Sequence, residues 1–516
     1  MNAASALLER HAGTGVKLRL TGLTLAVALT LLALGLRLIG LGGRPLWLDE
    51  AYSWWFSARD LHYLWTVVPT YEPHPPFYYT LLKAWRALFG ASPVELRAFS
   101  VLLGAATVPV VVAAALELER QKPTTRPYLA AGAAGFLAAA SPMLVFLGQE
   151  ARPYPLLIFA CAVALLGAVR LLRELRSGPG AWSSWLLLAA GTEVALWAHG
   201  LGLLYATCLA GAVAPAWIAG KRLARGMVVA AGVALLYLPC LLMIASRSGD
   251  WGSGWLSWEP LMLLQLLGLY SVPFEIWTVA AAVSAVALLI LAKRALAFAA
   301  QQRDCNAERA LVALWLGPAL LAAAISATVI PVFLPRTLAG TLIPFALLVG
   351  RALARTPAAP ERRILGAALA VTLLPSSVQI ASRPATEDWP GVRAYLAQHV
   401  APGDAVWLYP NDSALPLEAS GPLPAAMRGI PGDYPAIGVR GPIRAGSPAV
   451  VSLSRDQAQS LASAPALARS PTVWLVTRQS ALFDPREDVP HALTAVRDAG
   501  PAQHWGYITV QPYHRR

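Results

Sequence analysis

Apolar segments long enough to cross a bilayer recur along this chain, and they dictate its fold before any motif is read. Hydrocarbon offers no water to satisfy backbone polar groups, so a spanning run of roughly 20 apolar residues must be a helix. Such runs occur at Leu18 to Ile39, Leu96 to Leu116, Pro127 to Leu147, Pro155 to Leu172, Trp182 to Ala198, Leu201 to Ile218, Met227 to Ala245, Ile276 to Leu291, Leu311 to Ile330, Leu338 to Leu353 and Ile364 to Ile380. Composition supports the count: 57% of the residues are hydrophobic and 13% charged, against about 25% charged in ordinary soluble domains. The chain reads as a polytopic α-helical membrane protein with about 11 transmembrane helices.

Basic residues near span ends stay on the cytoplasmic side, and here they mark every second connection. Arg10, Lys17 and Arg19 precede the first span; Arg120, Lys122 and Arg126 follow the second, Arg170, Arg173 and Arg176 the fourth, and Lys221, Arg222 and Arg225 the sixth. Lys293, Arg294, Arg303 and Arg309, then Arg351, Arg355, Arg362 and Arg363, continue the series, while the alternate connections hold isolated cations such as Arg152, Arg247 and Arg336. The reading places the N-terminus in the cytoplasm and the loop after the first span, with everything beyond Ser382, outside. Much of the net charge of +13 lies in the cytoplasmic loops, so topology explains it and no nucleic-acid partner is inferred.

Cys161, Cys208 and Cys240 fall in spans and Cys305 in a cytoplasmic loop, which leaves no outer disulfide framework. The first apolar stretch lacks a small-residue cleavage site and reads as a retained span. Beyond Ile380, β-prone runs at Ala405 to Tyr409, Ala449 to Leu453, Thr472 to Val476 and Tyr507 to Val510 alternate with helical patterns at Trp389 to His399, Arg455 to Leu467 and Val489 to Ala499. That alternation favours an α/β module. The division expected is therefore a membrane domain, 1–381, carrying an outer loop at 42–95, and a C-terminal extracytoplasmic α/β domain, 382–516.

Ionisable groups then gather on one face. Asp49 and Glu50 follow the first span directly, where charges are expensive and commonly functional, although such a pair also serves as a solvated anchor. In the same loop, prolines around Glu72 and His74 impose irregular backbone. The run after them, Phe77 to Phe89 with Tyr79 inside it, reads as an interfacial amphipathic helix ending at Gly90. Glu150, Arg152 and Tyr154 occupy a tight outer connection, and His199 ends the fifth span. His74 also fits as a packing residue, and Glu150 with Arg152 as a local ion pair. Arg336 lies at the outer mouth between two spans, against the basic-inside bias; it reads as a phosphate-binding guanidinium rather than a snorkelling cation. Trp47, Trp54, Trp55, Trp251, Trp255 and Trp258 form an aromatic belt, and 251–258, with its glycines, reads as a mobile lid over the site.

Taken in order, Asp49-Glu50, His74-Pro75-Pro76, Gln149-Glu150-Ala151-Arg152 with Tyr154, Trp197 with His199, Pro335-Arg336 and Glu387-Asp388-Trp389 resemble the GT-C superfamily of membrane glycosyltransferases. The similarity is to the group of protein O-mannosyltransferases and lipid A aminoarabinose transferases, glycosyltransferase family 39-like. It implies transfer of a hexosyl or pentosyl unit from a polyprenyl-phosphate donor to a hydroxyl of a glycan, lipid or protein acceptor at the outer face of the cell (inner) membrane, with inversion. On that resemblance Asp49 is the general base and Glu50 its support, Arg336 and Arg152 bind the donor phosphate, and Glu72, His74, Tyr79, Glu150, Tyr154 and His199 support the site or bind substrate. No metal is the default; a divalent ion held by Glu72 with His199 or His74 is the alternative. A transporter or lipid flippase is the competing class, since many spans with charges near one face also suit a substrate pathway.

Overall fold

The structure is a computed structural model and describes residues 3–72, 74–175, 178, 180–219, 223–245, 258–271, 279–301, 307–423, 426–435 and 453–516. The expected lid, apart from Trp258, and the run at Ala449 to Leu453, apart from Leu453, lie outside the described residues, as does Cys305. The chain divides into two compact units: a helical unit of Met1–Leu41, Arg97–Cys240 and Trp258–Ser382, and a mixed unit of Gly42–Leu96, Leu241–Ser257 and Arg383–Arg516. Residues 42–95, read in the sequence with the membrane part, thus cluster with the C-terminal segment.

In the helical unit, eight of the described helices are long and apolar enough to cross a membrane, nine if the bent pair Pro127–Ala140 and Pro142–Gly148 is one span. The bend is 50° and falls at Pro142, which donates no backbone hydrogen bond and clashes with the preceding turn. Carbonyls freed by the break find a donor in Arg37, a buried arginine on the first span. Its guanidinium donates to the carbonyls of Ala139 at 3.0 Å, Ala138 at 3.3 Å and Leu144 at 3.2 Å. A charge inside a membrane helix is tolerated when it replaces missing backbone partners in this way. Trp182–Ala198 is helical but has 17 residues, and Gly202–Ile218 is likewise shorter than the eight. These two account for most of the gap between eleven expected spans and those that meet the length criterion.

Close packing aligns the helices Tyr154–Glu174 and Trp182–Ala198. A Cβ on Gly167 would come within 2.4 Å of the Leu188 backbone nitrogen, and one on Gly191 within 2.4 Å of the Ala164 nitrogen. Small residues let two backbones approach, which in lipid is the main source of helix association. The pair is joined by a short connection and so runs antiparallel, bringing the start of the first helix, Tyr154, beside the end of the second, His199. Elsewhere in this unit, Arg351 is buried against Glu119 at 2.6 Å and Glu308 at 2.8 Å, and Arg355 pairs with Glu308 at 2.8 Å. Residues assigned by the basic pattern to one face therefore meet at one end of the unit.

The mixed unit is built on a sheet of six strands: β1 Ala405–Tyr409, β2 Met427–Gly429, β3 Thr472–Arg478, β4 Arg497–Ala499, β5 Gln503–Trp505 and β6 Ile508–Arg515. Their order is β2-β1-β3-β6-β4, with β5 pairing β6; β1 is parallel to β2 and β3, and the pairs with β6 are antiparallel. Alternation along β1 and β3 gives each face its own core. Val406, Leu408, Trp474 and Val476 pack with Trp389, Val392 and Leu417. Trp407, Tyr409, Val473 and Leu475 pack with Ala458, Ala462, Val489 and Leu493 on the other side. The sheet thus lies between two helical layers, as the continuous apolar runs of its central strands require. The helix expected from Val489 to Ala499 ends at Val496, because Arg497–Ala499 pairs with β6 as a strand. The one expected from Arg455 to Leu467 stops at Ala462, ahead of Pro465.

Candidate active site

Asp49 and Glu50 occupy the first turn of the helix Leu48–Ala58. Its N-cap, Trp47, offers no side-chain cap, and the carboxylate of Glu387 takes that role from elsewhere in the mixed unit, accepting the Leu48 N–H at 3.1 Å. A negative group at this position satisfies an orphan donor and complements the helix dipole. Glu387 is itself fixed: it also accepts from the Trp389 indole at 2.8 Å and from the Arg478 guanidinium at 2.7 Å. Glu50 is buried, and Asp49 is half-buried, with its Oδ2 out of contact with solvent.

Three residues after Asp49, Tyr52 donates to Asp412 Oδ2 at 2.5 Å. Asp412 is fully buried between Asn411 and Ser413, and its Oδ1 has no hydrogen-bond partner among the described residues. Burial raises its carboxyl to about 6, against the lowering influence of Arg478 and of the Tyr52 hydroxyl, while Glu387 and Asp49 raise it further. Arg478 is held above its ordinary value, because Glu387, Asp412 and Asp49 together outweigh the cost of its burial. Tyr434 closes the cluster, its ring 5.5 Å from Tyr52, 5.4 Å from Trp55 and 6.1 Å from Tyr71.

The second half of the loop is ordered around Glu72. His74 Nδ1 lies 3.2 Å from Glu72 Oε1, and the Tyr79 hydroxyl donates to the same oxygen at 3.4 Å. Tyr79 belongs to the helix Phe77–Phe89, which has the bounds read from sequence and ends at Gly90. Gly90 has φ of +104°, where a side chain would be strained and would meet the Glu95 carboxylate.

The remaining sequence candidates belong to the helical unit. Arg336 stands with its guanidinium 5.9 Å from the centre of the Tyr154 ring, and that ring lies 5.7 Å from His199. Burial, with Arg152 and Arg336 nearby, pushes the His199 imidazole down to about 3, so it is neutral at physiological pH. Its Nδ1 accepts the Leu201 N–H at 3.1 Å. Two guanidiniums around an uncharged imidazole make a locus for a phosphate-sized anion. Glu150 is buried in the same connection, and the Arg152 N–H donates to its carbonyl at 2.8 Å.

Of the residues considered for a metal, Glu72 and His74 are adjacent in the mixed unit, and no group of three or more His, Cys, Asp or Glu suited to a metal occurs among the described residues. A closed site takes about four ligands and an open catalytic one three.

Asp412, Tyr52, Arg478, Tyr434 and Arg37 are absent from the residues singled out in sequence, and Glu387 was noted only as a marker. For Asp412 a signal existed: it directly follows a strand end, in Tyr409-Pro410-Asn411-Asp412, where α/β folds place functional loops.

No family model and no curated protein sequence matches the chain. Solved structures do. ArnT from Cupriavidus metallidurans in the apo state is 16% identical, with a TM-score of 0.59 over 97% of this chain and 98% of that one. The same protein bound to undecaprenyl phosphate gives 15%, 0.57, and coverage of 96% and 98%. An oligosaccharyltransferase from Archaeoglobus fulgidus, AglB, captured with an inhibitory peptide and a dolichol-phosphate, is 12% identical, with a TM-score of 0.52 over 96% of this chain and 74% of that one. Over nearly its whole length, the chain has the fold of ArnT and of AglB.

Proposed function

We propose that this protein is a membrane glycosyltransferase that moves a sugar from a polyprenyl-phosphate donor to an acceptor hydroxyl. The observation that carries the reading is a half-buried carboxylate, Asp49, on the first turn of a helix whose N-terminus Glu387 caps, within a chain of GT-C fold. The polyprenyl phosphates bound by ArnT and AglB support the donor class.

In this reading Asp49 takes the proton from the acceptor hydroxyl as its oxygen attacks the anomeric carbon, and the bond to the phosphate oxygen breaks with inversion. Positioned proton transfer of this kind contributes roughly 10² to 10⁴ in rate. The phosphate leaves as a stable anion and needs no proton; it needs positive charge, which Arg336 and Arg152 supply. A small apolar cavity of about 30 Å³, lined by Leu165, Ala195, Leu209, Leu314 and Pro344, has Gly340 in its wall, four residues from Arg336. In this reading the N-terminus is cytoplasmic and the C-terminal module extracytoplasmic, which the basic pattern of the loops supports.

The test measures binding of undecaprenyl phosphate and transfer of radiolabelled sugar from undecaprenyl-phosphate-linked hexoses and pentoses into envelope fractions. Arg336→Ala should weaken undecaprenyl phosphate binding about tenfold or more. Equal affinity in that variant would remove the phosphate assignment, and translocation of the lipid in vesicles without any transfer would favour a flippase.

A further inference from the structure

The three strands β2, β1 and β3 are parallel and adjacent in that order, although they follow one another in the chain as β1, β2, β3. The helix Ala414–Ala419, between β1 and β2, packs on one face, and Arg455–Ala462, ahead of β3, on the other. Strand order therefore reverses between β1 and β3. In open α/β sheets the crevice outside the carboxyl ends of the strands at that point is where ligands bind. Asp412 lies three residues beyond the end of β1, and Arg478 is the last residue of β3.

What reaches these two residues here is the chain itself. Asp412 accepts from Tyr52, and Arg478 holds Glu387, which caps Leu48. Leu48 directly precedes Asp49, and Tyr52 follows it by three residues, so the two contacts grip the helix on either side of Asp49 and, for Tyr52, on the same face. Tyr434 packs its ring against Tyr52 and Trp55 in the same place.

We propose that the switch-point crevice of the C-terminal module serves as the mount of the Asp49 helix, with Asp412 acting through Tyr52 as a positioning residue for the base. The idea rests on the assignment of Asp49 above, and it gives the module a role in catalysis distinct from acceptor binding. Charged and titratable groups around Tyr52 and Asp412 are Asp49, Glu72, Glu387 and Arg478.

The experiment uses the full chain in nanodiscs and compares wild type, Tyr52→Phe, Asp412→Asn and the double variant. Hydrogen exchange over 48–58 needs no donor and is read first. Each single variant should speed exchange there about tenfold, the equivalent of one lost hydrogen bond, while β1 and β3 stay protected. Transfer from undecaprenyl-phosphate mannose and undecaprenyl-phosphate aminoarabinose is read second: kcat should fall with donor KM unchanged, and the double variant should be no worse than the worse single one. Unchanged exchange in both single variants overturns the mount, and so does an equal rise over 48–58, β1 and β3, which marks general loosening. If Asp49→Asn keeps full transfer, the base assignment fails, while the exchange result still decides the mount.

Discussion

Removing the carboxylate of Glu387 should be among the most damaging single changes in the mixed unit, and its size follows from three contacts. The side chain is 1% exposed and that of its partner Arg478 6%. Glu387→Ala strands a buried guanidinium, which costs about 3 to 5 kcal/mol. It also leaves the Leu48 N–H without its cap, a further 0.5 to 2 kcal/mol by the usual range of about that size for caps. Glu387→Gln keeps an acceptor but removes the charge, so it should lose roughly half as much. Replacing both partners, Glu387→Leu with Arg478→Met, should recover part of the loss, because neither partner is then a charge buried alone, while Asp412, deprived of its cationic neighbour, is pushed further toward its neutral form. Urea-dependent proteolysis of the full-length protein, read on fragments from 383–516, measures all three. A loss under about 1 kcal/mol for Glu387→Ala would refute the reasoning, as would a double variant no better than Glu387→Ala.

Two further outcomes follow from other sites. Asp412 has a folded value of about 6 against 3.8 unfolded, so between those values the folded state binds more protons and the mixed unit should lose stability as pH rises, by up to about 3 kcal/mol. Asp412→Asn should flatten that slope in urea titrations at pH 4 to 7; an unchanged slope would contradict the burial argument. Gly191→Leu places a side chain against the Ala164 backbone, where neither helix can yield, and should cost about 1 to 3 kcal/mol. Denaturant unfolding in detergent should show the loss, and wild-type stability would mean that the helices are not packed on Gly191.

Period and length carried the fold into view. Long apolar runs announced the helical unit, and the short β-prone apolar runs Ala405 to Tyr409 and Thr472 to Val476 announced the sheet, because both depend on neighbouring residues alone. The bend at Pro142 was hidden only in part: its proline is visible, but the arginine that tolerates it, Arg37, lies 105 positions earlier and reads as the end of a span. Local signals likewise marked Asp49, Glu72, His199 and Arg336 as candidates, each at a span end or in a proline-rich loop. The mount of Asp49 was not legible, since Tyr52 and Asp412 are 360 positions apart and Leu48 and Glu387 are 339. Nothing in the composition near Tyr52 distinguishes it from the aromatic belt around it.

The central claim is that Asp49 is the base of a sugar transfer from a polyprenyl-phosphate donor. The most direct measurement compares wild type and Asp49→Asn at matched expression, for incorporation of radiolabelled sugar from undecaprenyl-phosphate donors and for binding of undecaprenyl phosphate. The account predicts that one labelled product falls by roughly 10² or more while donor binding is retained. Identical labelling by the two proteins across the donor panel would contradict it.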